Sequence, residues 1–389
     1  MARIGIYGGT FNPPHIGHIR AASHAVQALK LDKMLMIPSC ISPHKQIPAH
    51  SPTAQQRLEM VRLMAEEKQS VSDIELSRGG TSFTYETVLQ LKKEYPEDEL
   101  VLCMGTDMFL SFDTWKNPHI IMENASLGVF YRGEKGEREK IEAKKELLES
   151  HGGKIYVTEN PIIDISSTQL RRMLVFRCAD SFLHPAVKDY ILRNGLYGTA
   201  EDYRNLPMDK LEEVVISLLN PSRVAHELGC RDTAAELARI WGADETDAAR
   251  AGLLHDITKA LDGPLQLTLC RDYGKVLDDF SCKNPKTLHA LTGSMVAEQI
   301  FGENKAVVDA IESHTTGKPG MNTLEKIIYV ADYMEPCRDF PGVEQLRHLA
   351  YTDLDKALEL GLTMTLKLLK EQGRQISPAS QEALTYLQR

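Results

Sequence analysis

The seven cysteines of this 389-residue chain stand at 40, 103, 178, 230, 270, 282 and 337, and no two of them form a C-x-x-C pair. That scatter argues against a disulfide framework or a zinc knuckle and points to reduced thiols in a cytoplasmic protein. Long apolar runs are missing too. No uninterrupted segment approaches the ~18 residues of a membrane span, and MARIGIYGGT lacks the charged head and apolar stretch of a secretion signal. A basic excess is also absent. Residues 1–200 carry 24 basic and 24 acidic side chains and the remainder 21 and 30, so the formal net charge of −9 falls wholly in the second half. Neither half offers the broad basic face of a nucleic-acid binder. The expected partners are small molecules, with no nucleic acid and no membrane; homo-oligomerisation stays open.

What the sequence does contain is two kinds of pattern. Its length exceeds one ordinary domain, and the charge shift marks a break near residue 200. Before that point the apolar runs RIGIY, KMLMIP, VSDIEL, ELVLCMG, SLGVFYR and KIYVTE alternate with helical stretches such as HIRAASHAVQALK and AQQRLEMVRLMAEE. Such alternation predicts an α/β domain over residues 1–200, a doubly wound parallel sheet with helices on both faces. Beyond it, LEEVVISLL, RDTAAELARIWG, DAARAGLLHDITKAL, SMVAEQIFG, AVVDAIESH and LEKIIYVADYM all show helical spacing, which predicts an all-α domain over 205–389. GLYGTAEDYRNLPMDK, rich in Gly and polar residues, reads as the junction.

GGTFNPPHIGH, residues 8–18, follows the first predicted strand and opens the first helix. In a parallel sheet that is the carboxyl end of a strand, where ligands bind. Gly8 and Gly9 let the backbone come close to a ligand, and the helix beyond offers free N–H groups to phosphate. His15 and His18, three apart, share a helix face and can stabilise charge on a transferring phosphoryl group. A turn followed by two surface histidines is the plainer alternative.

These residues resemble the nucleotidyltransferase superfamily with the (H/T)-x-G-H signature, and ISSTQLR at 165–171 resembles its ISST-x-x-R motif. The resemblance implies ATP binding by Gly8, Gly9, Thr10, Phe11, His15, His18, Ser166, Ser167, Thr168 and Arg171; a helix N-cap is a compatible second role for the serines. SPHK (42–45), TSFTYET (81–87), MGTDMFLSFDTW (104–115) and YRGE (131–134) are similar to bacterial nicotinate-nucleotide adenylyltransferases over residues 1–197. That likeness implies contacts from Lys45, Thr84, Tyr85, Asp107 and Arg132, and stacking of Trp115 on a pyridine ring; Trp115 as a core or edge aromatic is the alternative. The implied reaction joins ATP and nicotinate mononucleotide to give deamido-NAD and pyrophosphate, with Mg²⁺ accompanying ATP. His15, His18, Lys45 and Arg171 would serve it by alignment and charge neutralisation. A nicotinamide-mononucleotide preference or a pantetheine-type adenylyltransferase are the alternatives.

Five histidines lie beyond residue 200, and four fall into a pattern with two aspartates: His226, His255–Asp256, His289, His314 and Asp332. Each sits on, or at the end of, a separate predicted helix, and bundles can aim ligands from several helices at one point. Imidazole and carboxylate without thiolate suit Fe, Mn, Co or Zn. Any single histidine reads equally as a polar residue at a helix edge; the adjacent His–Asp pair in an apolar run does not, since burying both is costly without a shared partner. The pattern resembles the HD superfamily of metal-dependent phosphohydrolases, and HTTG with ADYMEPCR is similar to its branch that splits diadenosine tetraphosphate into two ADP. This implies a centre of two divalent metals, iron by preference, bridged by Asp256. Lys259 and Arg338 would neutralise substrate phosphate, or are solvated charges. Another nucleotide as substrate, or a silent regulatory or dimerising metal module, are the alternatives.

Overall fold

Ile4, Gly5 and Ile6 are buried in succession, as expected of a strand covered on both faces. They lie in β1 (Arg3–Gly9) of a six-stranded sheet, with β2 (Lys33–Pro38), β3 (Gln69–Val71), β4 (Glu99–Gly105), β5 (Ser126–Tyr131) and β6 (Ile155–Glu159). All pairings are parallel and the order is β3-β2-β1-β4-β5-β6. The structure, a computed structural model, describes residues 1–42, 51–131, 136–159 and 165–389. Lys45 and Arg132 lie outside the described residues. The order reverses between β1 and β4, whose register pairs Ile6 with Leu102. Their carboxyl ends therefore open side by side, which is where such sheets place ligands.

One expected strand is corrected. VSDIEL contributes only Val71 to β3; Ile74–Arg78 is a short helix. The Ser72 hydroxyl accepts the Ile74 N–H at 3.3 Å, a local bond that starts a turn where a strand would need ladder partners.

The chain divides into two compact units, Met1–Glu201 and Asp202–Arg389. The second is helical, with no strand among its described residues. Its helices begin on polar caps: Asp244 accepts from Asp247 N at 2.8 Å, Asn304 from Ala306 N and Val307 N, and Asn322 forms a reciprocal box with Glu325. Leu253, Leu254, Val296, Ile311 and Ile327 are completely or almost completely buried, each contributing roughly 1.5–3 kcal/mol over exposure. Helices Val224–Trp241 and Glu245–Leu254 approach closely at Gly252, where an added Cβ would lie 2.9 Å from the Cys230 carbonyl oxygen. That approach carries His255 and Asp256 toward His226.

Candidate functional site

In the first unit the two signature segments meet. His15 is the N-cap of helix Ile16–Ala28, and its backbone N–H donates to His18 Nδ1 at 3.1 Å, leaving the rings 3.7 Å apart. Burial pulls the His15 imidazole down to about 3, so it is a neutral hydrogen-bonding group, and its Nδ1 is buried without a protein partner. Phe11 packs under His18 with centroids 4.9 Å apart and is almost wholly buried; only its backbone can face a ligand. Gly8 is exposed, and a Cβ there would meet no atom closer than 4.0 Å, so the space beside it is open.

From more than 150 residues away, Ser167 Oγ donates to Pro13 O at 3.0 Å and Arg171 Nη1 to Asn12 O at 2.7 Å. Ser166 caps helix Ser167–Val175 through Gln169 N, and Thr168 Oγ1 accepts from Arg171 Nη2 at 3.1 Å. The Arg171 guanidinium thus braces the loop that it would help to bind phosphate with. Arg57, almost fully buried in helix Ala54–Met64, donates to the carbonyls of Thr10, Ser39 and Cys40. Nothing in an amphipathic helix marks such an arginine in advance.

A second group gathers beside β4. Thr84 and Tyr85 open helix Thr84–Glu94, and Tyr85 donates to Glu86 at 2.8 Å. Asp107 is exposed just past the end of β4, and Trp115 packs on Phe112 with centroids 5.4 Å apart. Lys116 Nζ stands 4.0 Å over the Phe83 ring and 5.8 Å from Tyr85, which joins the two segments.

In the second unit, His226 (helix Val224–Trp241), His255 and Asp256, His289 (helix His289–Gln299), His314 and Asp332 (helix Thr323–Met334) converge. The expected helix through 247–261 ends at Leu254; His255 and Asp256 lie in the tight turns after it, with Ile257 N on Leu254 O and Lys259 N on Asp256 O. That turn is what lets neighbouring side chains serve one centre.

Two ligand groups share Asp256. His226 Nε2 lies 3.3 Å from Asp332 Oδ1 and 3.3 Å from His255 Nε2, with Asp256 Oδ2 3.6 Å from the latter. On its other side Asp256 Oδ1 lies 3.3 Å from His289 Nε2 and 3.5 Å from His314 Nε2. Every Nδ1 faces an oxygen: Glu335 Oε1 (3.0 Å), Gly252 O (2.8 Å), Lys286 O (2.9 Å) and Ile311 O (2.7 Å) for His226, His255, His289 and His314. With Nδ1 as donor, each Nε2 is left with its lone pair inward.

The donor chemistry fits a divalent cation. Two Nε2 lone pairs facing across 3.3 Å need positive charge between them, and Asp256 Oδ1 is buried with no hydrogen-bond partner. Burial would lower His255, yet Glu227 and Asp256 push it up to about 10, the same demand met by a proton. Burial likewise would raise Asp256 and Asp332, but the surrounding histidines and Lys259 or Arg338 hold both well below the usual carboxylate range. At His289, burial and the Lys259 charge pull the imidazole down to about 3.

Three cationic side chains stand on the ligand atoms: Arg223 on Asp256 Oδ2, Arg338 on Asp332 Oδ1, and Lys259 Nζ on His289 Nε2 at 2.7 Å. Sequence reasoning singled out Lys259 and Arg338 and missed Arg223, one turn before His226. It also missed Glu335, which aligns His226, and buried Glu227, whose Oε1 accepts the Asp256 N–H at 3.2 Å. A thiol also lies beside the first group, Cys230 being one turn beyond His226, and burial and nearby carboxylates push its pKa up. Glu335→Ala is expected to weaken Mn²⁺ binding on the order of 10- to 100-fold in a direct titration, by freeing the His226 ring.

A cytidylyltransferase-like family model matches residues 6–173, and an HD domain model matches residues 223–337. A probable nicotinate-nucleotide adenylyltransferase from Borrelia garinii subsp. bavariensis is 37% identical over 198 residues, which are 50% of this chain and 94% of that protein. A symmetrical bis(5'-nucleosyl)-tetraphosphatase from Halalkalibacterium halodurans is 39% identical over 170 residues, 43% of this chain and 90% of that protein. Among solved structures, an HD superfamily hydrolase described as involved in NAD metabolism, from Clostridium acetobutylicum, is 40% identical, covering 47% of this chain and 97% of that one with a TM-score of 0.46. The chain belongs to two enzyme families, that of the nicotinate-nucleotide adenylyltransferases through its first half and that of the HD-domain symmetrical tetraphosphatases through its second.

Proposed function

We propose that the chain is a bifunctional cytoplasmic enzyme, with residues 1–200 adenylylating nicotinate mononucleotide and residues 205–389 hydrolysing diadenosine tetraphosphate to two ADP. The first assignment rests on the meeting of GGTFNPPHIGH with ISSTQLR through Ser167–Pro13 and Arg171–Asn12. An oxygen of the mononucleotide phosphate attacks the α-phosphorus of ATP, and the bond to the β-phosphate breaks to release pyrophosphate. Neutral His15 donates a hydrogen bond, as does His18, while the Arg171 fork and the Ser167–Thr168 helix start hold phosphate oxygens. Trp115 offers a flat apolar face for the pyridine ring. Mg²⁺ bound with ATP would screen the triphosphate.

The second assignment rests on six side chains whose ligand atoms face one another around Asp256. His226, His255, Asp256 and Asp332 would hold one divalent metal and Asp256, His289 and His314 another, Fe by preference and Mn, Co or Zn otherwise. Such a pair supplies Lewis acidity and an activated water at neutral pH. The chain's own part is to fix four imidazole tautomers, exclude solvent and place phosphate-binding cations. Were metal held by these ligand atoms, Arg223, Arg338 and Lys259 would give up Asp256, Asp332 and His289 and be able to turn to substrate phosphates.

The deciding experiment gives the full-length protein diadenosine tetraphosphate with Fe²⁺ or Mn²⁺ and resolves products by chromatography. ADP alone is expected. ATP with AMP would mean asymmetric cleavage, and no cleavage would mean another substrate or a silent module.

A further inference from the structure

Two bulky residues of the first unit hold left-handed backbone, Phe11 at φ 46° and Tyr197 at φ 57°, and one side chain joins them. Large side chains rarely adopt that region unless surrounding contacts over-determine it, and such positions concentrate at functional sites. The Tyr197 hydroxyl donates to Asn12 Oδ1 at 2.9 Å, and Asn12 directly follows Phe11. Asn12 is bonded at three atoms. Its carbonyl accepts Arg171 Nη1, its Oδ1 accepts Tyr197, and its Nδ2 donates to Ser51 Oγ at 3.1 Å. It is also almost completely buried, so none of these bonds has water as a ready substitute.

The contacts run in a line toward the chemistry. From Tyr197 they pass to Asn12, and from Asn12 to Arg171 on one side. On the other side they reach Phe11, whose ring lies 4.9 Å from that of His18. The chain beyond Tyr197 is tied as well. Arg177, itself left-handed at φ 59°, donates to Thr199 O at 2.9 Å and Glu201 O at 3.0 Å. Glu201 is the last residue of the first unit. The closing segment therefore reaches back to the loop between β1 and the first helix.

We infer that Tyr197 is a positioning residue for adenylyl transfer, acting through Asn12 to hold His18 and Arg171 in register on the ATP phosphates. This rests on the reading of the first unit as an ATP site. The hydroxyl carries the effect, because it is the group that bonds Asn12.

Tyr197→Phe in the full-length chain tests it. The expected result is a fall of about tenfold in kcat for dinucleotide formation, with KM for ATP raised and KM for nicotinate mononucleotide unchanged. Calorimetry with ATP alone should show weaker binding, while cleavage of diadenosine tetraphosphate by the same preparation stays at the wild-type rate. Asn12→Ala, which also removes the bond to Ser51, should lose at least as much, and adding Tyr197→Phe to it should cost little more, since the shared contact is already gone. A Tyr197→Phe protein that melts earlier but keeps wild-type kcat, KM and ATP affinity makes Tyr197 a brace only and overturns the inference. If the wild type binds ATP yet forms no dinucleotide, the proposed reaction fails on its own, and the ATP affinity of Tyr197→Phe still decides this point.

Discussion

Asp256→Ala is expected to abolish diadenosine tetraphosphate cleavage, by on the order of 10³-fold or more, while nicotinate-mononucleotide adenylylation continues at the wild-type rate. Asp256 is the one carboxylate that faces both ligand groups, Oδ2 toward His255 and Oδ1 toward His289 and His314. Its removal would take a candidate ligand from both groups at once. It also leaves the part-exposed Arg223 and Lys259 without that carboxylate. Metal content by elemental analysis should therefore fall together with activity, and Asp256→Asn, which keeps the shape, should lose metal as well. Retained cleavage with full metal content in either variant would sink the assignment of Asp256 as the shared ligand.

His18→Ala should act on the other reaction, lowering kcat for dinucleotide formation on the order of 10²- to 10³-fold, the usual effect of deleting one donor aimed at developing charge. Tetraphosphate cleavage should be untouched. The His18 ring touches Phe11 and His15 and accepts the His15 backbone N–H. Part of the loss will thus come through a less ordered His15. Measuring kcat and KM separately resolves this: a loss confined to kcat marks an interaction made in the transition state, and a rise confined to the ATP KM marks simple binding. If both constants stay within a few-fold of wild type, the H-x-G-H histidines are not the phosphate-stabilising pair.

The sheet and the two signature segments were legible because they are written locally. β1, β2 and β4 are continuous apolar runs, and HIGH and ISST sit where a strand or loop passes into a helix. The convergence of the candidate ligands was legible because histidine is scarce in the second half and one is fused to an aspartate. Other features have no local signature. VSDIEL carries strand-forming residues, yet a serine hydroxyl turns it into a helix start. Arg57 and Arg223 look like surface charges on helix-forming stretches and become structural only through carbonyls or carboxylates far along the chain. The Tyr197–Asn12 bond spans 185 residues, and no periodicity foretells it. Glu335 stood inside the ADYMEPCR match, where attention to the Nδ1 partner a ligating histidine requires could have found it.

The six candidate ligands come from five separate stretches of the second unit, the first at 226 and the last at 332. Each ion held by one of these groups would work as a fastener as well as a reagent, since the unfolded chain has no such site to offer. By mass action the unfolding free energy of this unit would then grow with the logarithm of free metal, about 1.4 kcal/mol per bound ion for each tenfold rise above the dissociation constant. The supply of a fitting divalent metal would thereby set how long this unit stays folded, apart from any part the metal plays in turnover.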